Sequence, residues 1–224
     1  MKIRRLKRHR ENEHVVARFT DGINIVALGA PCAGKGQFGK YLVATYGCEP
    51  INGFWIVTIG DLVAERINSD AAFLKEHEAV IKNRGLLPNN VIRGMMNARY
   101  QEGVRRGYTR FYIDGDGRKA EQIDEMVEHG YLNHRNSVCF IFTVSLTTWE
   151  ERMIFAAKSG DRSHRIDNNK FKEGYQVFKD NEESVRAAML KHRIDFEEVN
   201  SDRDLGDVKL DALERIKLRI PLPA

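Results

Sequence analysis

The chain has 224 residues, 42% hydrophobic and 30% charged, a composition that fits one globular domain able to bury a core without disulfides or metal. Its formal charge of +4 is local: the first ten residues hold six Lys or Arg and no acid, leaving 30 basic against 32 acidic residues in the rest. A slightly acidic body excludes a general nucleic-acid-coating surface, and three cysteines without CxxC or Cys/His ligand spacing exclude a disulfide scaffold and a structural zinc site.

Residues 1–21 read as a basic flexible extension. No apolar stretch follows MKIRRLKRHR, so the build is not that of a secretory signal. A mitochondrial presequence would share its arginines, but Glu11 and Glu13 follow at once and serines are missing. Targeting and contact with an acidic partner are the alternatives to a plain extension. From residue 22 to 224 a single domain is expected. Short β-branched runs at 23–30, 55–59, 110–114, 138–146 and 195–201 alternate with helical patterns at about 35–46, 61–85, 88–106, 118–129, 147–158, 171–192 and 204–219. This alternation predicts βαβ units and a parallel sheet. The strands read as near-continuous apolar runs, the pattern of strands covered by helices on both faces. The longest of them, 138–146, is nine residues, far below the roughly 20 that span a bilayer. Thr147 or Thr148 is expected to cap the helix that follows, with Glu150 and Glu151 in its first turn. The polar stretch 158–170 lacks periodicity and reads as a mobile loop.

The first strand runs into Gly29-Ala-Pro31-Cys32-Ala33-Gly34-Lys35-Gly36-Gln37, a Gly-x-x-x-x-Gly-Lys turn that opens a helix. Such a turn binds phosphate because successive backbone N–H groups face inward and the helix N-terminus adds partial positive charge. Lys35 would set its ammonium on the outer phosphates of a nucleoside triphosphate. Two glycines and a lysine at fixed offsets arise by chance in somewhat under about one chain in ten of this length. The placement between strand and helix therefore carries the argument, not the spacing.

Gly36 follows the lysine where Ser or Thr is usual. The Gly-Lys-Gly ending resembles the adenylate kinase and nucleoside monophosphate kinase family, and five further stretches agree in order. They are Thr58-Ile59-Gly60-Asp61-Leu62, Gly85-Leu-Leu87-Pro88, Asp114-Gly115-Asp-Gly-Arg118 with Gln122, Glu151-Arg152, and Arg162 and Arg165 with Asp167-Asn168. The resemblance runs from about residue 23 to 219. It implies an α/β three-layer P-loop kinase fold with a five-stranded parallel sheet ordered 2-3-1-4-5. It also implies a helical acceptor-binding insertion near 60–88 and a short lid near 158–170. Lys35, Arg118, Arg162 and Arg165 would be catalytic; Gly29 to Gln37 and Arg152 would hold ATP. Ile59, Gly60, Leu87, Gly115, Arg118 and Gln122 would line the acceptor, and Asp114 would hold Mg2+ through water. The implied protein is a cytoplasmic monomer without nucleic-acid or membrane partners.

The departures lie at substrate contacts. Gln37 replaces a Thr, Cys32 a Gly, Ile59 a hydroxyl, and Asp116-Gly117 a Phe-Pro. Ala64, Ala156 and Gly174 fall on or near positions where the family has arginines. Arg66 lies two residues beyond Ala64 but about 200° round a helix. Each charged hydrogen bond contributes roughly 1.5–3 kcal/mol, so losing three arginines at a site for two polyanions matters. A divergent kinase, most simply acting on AMP, is the leading expectation. A nucleotide-binding sensor with weak transfer activity, or a kinase for a different small acceptor, is the alternative.

Overall fold

A computed structural model describes residues 22–82, 87–158 and 168–219. Five strands, β1 (Ile23–Gly29), β2 (Trp55–Thr58), β3 (Arg110–Asp114), β4 (Ser137–Thr143) and β5 (Asp195–Asn200), form one parallel sheet ordered β2-β3-β1-β4-β5. The helices are α1 (Lys35–Tyr46), α2 (Ile59–Ser69), α3 (Ala71–Glu76), α4 (Glu78–Lys82), α5 (Asn89–Arg105), α6 (Ala120–Glu128), α7 (Leu146–Lys158), α8 (Asn168–Lys191) and α9 (Leu205–Lys217). This is the three-layer P-loop kinase architecture.

The sheet is built around β1, buried along its whole length, with β4 nearly so. Phe38 of α1 seats the helix over them: its ring lies 5.9 Å from Tyr112, 6.0 Å from Phe140 and 5.7 Å from Phe142. The Tyr112 hydroxyl donates to the Lys35 carbonyl at 2.7 Å, tying α1 to β3 at the turn that opens the helix. Ala27 of β1 and Thr58 of β2 both align with Asp114 of β3. The carboxyl ends of three strands therefore meet along one edge, where open α/β sheets place their ligands.

Four expectations need correction. The helix expected over 61–85 is broken: Asp70 leaves helical geometry and its carboxylate accepts from the Phe73 N–H at 2.9 Å, capping α3. A short carboxylate that can cap a new helix competes with continuing the old one. The fourth strand ends at Thr143 rather than 146, and the helix after it is opened by Ser145, whose hydroxyl accepts from the Thr148 N–H at 3.3 Å. Neither Thr147 nor Thr148 is the cap, since α7 already includes both. Finally, β5 is no apolar run: its sequence is Asp-Phe-Glu-Glu-Val-Asn, and among its residues only Val199 is buried. An edge strand needs apolar side chains only where helices cover it.

Candidate functional site

Between β1 and α1 the chain turns through Pro31, Cys32, Ala33 and Gly34. Gly29 ends the strand at φ 142, and a Cβ there would stand 2.5 Å from the Phe142 carbonyl oxygen, so no side chain fits. Gly34, the N-cap of α1, is left-handed at φ 103, and no side chain among the described residues caps the helix. Its first turn also holds no acid. The first amides of α1 thus keep their donors for an anion. Cys32 takes φ 60, a region that favours glycine, at a position where the resembling pattern has glycine.

Neighbouring helices brace this turn. Trp149 of α7 donates its indole N–H to the Pro31 carbonyl at 2.8 Å. Cys32 Sγ lies 3.5 Å from Met153 Sδ. Gly174 of α8 abuts the loop so closely that a Cβ would be 3.1 Å from Pro31 Cγ. Where the family pattern places an arginine, a helix backbone packs instead.

Lys35 and Asp114 are brought together, 9% and 8% exposed. The Lys35 ammonium donates to the carbonyls of Gly29 at 2.9 Å and Ala30 at 2.7 Å and stands 3.9 Å from Asp114 Oδ1. Two buried charges of opposite sign this close offset each other's desolvation. Arg118 joins them: burial lowers its pKa from the ordinary guanidinium value, while the carboxylates of Asp114 and Asp116 oppose that shift. Gln122 Oε1 accepts from the backbone N–H of Arg118 at 2.8 Å and of Lys119 at 3.2 Å, which fixes the start of α6 and leaves the amide nitrogen as its donor.

On the other flank, Arg152 of α7 donates to the carbonyls of Ser201 at 2.6 Å and Arg203 at 2.9 Å, not to Glu150 or Glu151. Burial lowers its pKa, opposed by Asp202 first and then by Cys32 and Asp204. Arg152 Nη1 and Ser201 Oγ are buried without a hydrogen-bond partner among the described residues. A Cβ on Gly34 would lie 3.3 Å from Leu205 Cδ2 and 3.9 Å from that same Nη1. The β5–α9 turn is therefore part of the site, although Ser201 and Leu205 are absent from the sequence reading. A capping acid, Asp204, marks the turn, but nothing local says that it faces the phosphate loop.

Ile59 opens α2 and packs on Gly115, whose Cβ would be 3.2 Å from Ile59 Cβ. Gly60 and Gln37 are exposed, Ala33 is buried, and Pro31, Gly36 and Leu87 are half-buried. Arg66 pairs with Asp70 at 2.9 Å and stacks 5.7 Å over Phe73, engaged away from Ala64. Arg162 and Arg165 lie outside the described residues, as do 1–21 and most of the expected lid. An open groove of about 360 Å3 between α2 and α5 is lined by Leu62, Glu65, Met95, Arg99 and Glu102. It shares no residue with the phosphate loop, Asp114, Arg118 or Arg152. Among the described residues no cluster of three His, Cys, Asp or Glu could cage a metal ion.

No family model matches the chain. It is similar to the adenylate kinase of Thermodesulfovibrio yellowstonii, 34% identical over 109 residues, covering 47% of this chain and 46% of that protein. It is also similar to the probable adenylate kinase 7, mitochondrial, of Arabidopsis thaliana, 28% identical over 110 residues, covering 48% of this chain and 40% of that protein. The chain thus spans less than half the length of these relatives. In sequence it is adenylate kinase-like, and its sheet order is that of the P-loop kinases.

Proposed function

We propose that this chain is a nucleotide kinase that transfers the γ-phosphoryl group of ATP to a nucleoside monophosphate, AMP first among them. One observation carries the reading: a buried Lys35 and a buried Asp114 meet at 3.9 Å beside a helix N-terminus that no described side chain caps, at the carboxyl edge of a parallel sheet. Phosphoryl transfer asks little covalent chemistry of a protein; it needs alignment, neutralised charge and exclusion of water.

Each residue then has a role. Lys35 and the amides from Gly34 to Gln37 hold the donor phosphates. Arg152, with Ser201 and Leu205 beside it, receives the donor nucleoside. Arg118 supplies a guanidinium fork to the acceptor phosphate, with Ile59, Gly60, Leu87 and Gly115 lining its pocket and Gln122 offering its amide nitrogen to the base. Arg162 and Arg165 are proposed to close over the transferred group. A buried carboxylate beside the phosphate loop fits Mg2+, which keeps several waters and is held largely by substrate phosphates; Asp114 would orient those waters, and the ion would neutralise phosphate charge. No helix of the described residues is long and apolar enough to cross a membrane; we place the protein in the cytoplasm as a monomer. Residues near 60–88 form the proposed acceptor insertion and 158–170 the lid.

The test is a coupled assay with ATP and each nucleoside monophosphate in turn. Turnover with AMP that disappears in Lys35→Ala is expected. ATP binding without turnover on any monophosphate would overturn the reading in favour of a nucleotide sensor, which Ala64, Ala156 and Gly174 at the arginine positions favour. Turnover only on another small acceptor would keep the kinase and replace its substrate.

A further inference from the structure

The turn that carries Arg118 is pinned to the first turn of α6, because Gln122 Oε1 accepts from the N–H groups of Arg118 and Lys119. Whatever fixes the angle of α6 therefore aims that turn. The inner face of α6 buries Ile123 and Met126, but apolar burial is non-directional and sets no angle by itself. Directional bonds come from two neighbours. On one side Glu125 meets Arg93 of α5. On the other, Asp124 Oδ1 accepts from the Lys191 ammonium of α8 at 2.9 Å and meets His192 Nε2, just past that helix, at 2.5 Å. α8 is a firm support for this clasp: Phe178, Val185 and Met189 are buried along it, and the Tyr175 hydroxyl donates to the Val144 carbonyl at 3.2 Å.

The two sides answer differently to pH. A guanidinium keeps its charge, whereas imidazole ordinarily gains or loses its charge between about pH 5 and 8. Protonation makes its N–H a cationic donor, and a charge-assisted hydrogen bond is roughly twice as strong as a neutral one. The other charges around His192 are few. Lys191 precedes it and Arg193 follows, while Glu121 and Glu128 of α6 are exposed and make no ion pair with it. His129, after α6, faces the Tyr131 ring at 6.0 Å. The acids of β5 pair elsewhere, Asp195 and Glu197 with Arg219 and Glu198 with Arg186. The His192 bond first, and the Lys191 bond next, hold the Asp124 carboxyl below the usual carboxylate range, so it stays charged while imidazole titrates. We propose that Asp124 is a positioning residue, clasped by Lys191 and His192, that aims the Arg118 turn, and that protonation of His192 tightens the clasp. A guanidinium fork aimed in advance loses less freedom when it grips an acceptor phosphate. That consequence rests on the kinase reading above; the clasp itself does not.

The ligand-free full chain, labelled with 15N and 13C, tests the clasp. Across about pH 5 to 8, the Arg118 and Lys119 amide signals are expected to move with the His192 ring signal, at the same midpoint. His192→Gln, which keeps a neutral donor at that reach, should abolish the movement while both amides stay hydrogen-bonded. Asp124→Asn should abolish it too and speed hydrogen exchange of both amides about threefold, the scale of losing an exposed ion pair. In coupled assays at fixed pH, Asp124→Asn should raise the monophosphate KM about threefold, with kcat and the KM for ATP little changed. Amides that stand still while His192 titrates, the same movement in Asp124→Asn, or an ATP KM that rises as far as the monophosphate KM overturns the proposal. If the native chain turns over no monophosphate while the amides still follow His192, the kinase reading fails and the clasp stands.

Discussion

The two flanks of the phosphate loop are built differently. On the β4–β5 side, Trp149, Met153, Arg152 and Leu205 close directly on the loop through neutral or singly charged contacts. The Gly-x-x-x-x-Gly-Lys frame there is intact. On the β2–β3 side the family pattern is rebuilt: a hydroxyl becomes Ile59, an arginine Ala64 and an aromatic ring Asp116. A buried carboxylate takes the place of that ring. A fold can hold its donor machinery nearly fixed while the acceptor side changes, because phosphate binding uses backbone amides whereas acceptor recognition uses side chains.

The largest expected effect tests the fixed flank. Lys35→Ala should lower phosphoryl transfer by about a thousandfold, the scale of losing a preorganised charge partner, with far-ultraviolet dichroism unchanged; retained turnover would mean that the loop is ornamental. Next comes Gly29→Ala, which forces a methyl against the Phe142 carbonyl at 2.5 Å. It should cost about 2–3 kcal/mol in urea unfolding. On the rebuilt flank, Ala64→Arg should lower the monophosphate KM roughly tenfold or more, since one charged hydrogen bond contributes about 1.5–3 kcal/mol. No change in KM would show that the acceptor group no longer lies beside α2. The smallest change is Trp149→Phe, which removes the indole bond to Pro31. About 1 kcal/mol should be lost from ATP binding by titration calorimetry, with the acceptor KM untouched.

Much of the fold is legible in the sequence because β1 and β4 are buried on both faces and must be apolar throughout, which fixes their place at the centre. The polar β5 is legible only through its position between two helical patterns. The break at Asp70 escapes notice because the apolar spacing continues across it, and the decision falls to one carboxylate that caps Phe73. In the site, Lys35, Asp114 and Arg118 are readable because strand ends and turns fix them locally. Ser201 and Leu205 are not, since they meet Arg152 and Gly34 respectively only after five strands are ordered. Asp116 is visible as a departure from a pattern, but its burial follows from the left-handed turn at Gly115 and Gly117 and from the packing of that turn on β1, which no local spacing shows.

At the far edge, β5 offers an outer row of backbone N–H and C=O groups, the template on which a foreign strand could add. Asp195 and Glu198 stand exposed on it, paired with Arg219 at 3.7 Å and Arg186 at 2.7 Å, while Glu197 is held by Arg215 and Arg219 of α9 and the turn after it. A second copy laid along this edge would have to desolvate or break those ion pairs. The polarity that makes β5 hard to recognise as a strand thus also guards the open edge of the sheet, where charged side chains discourage an added strand.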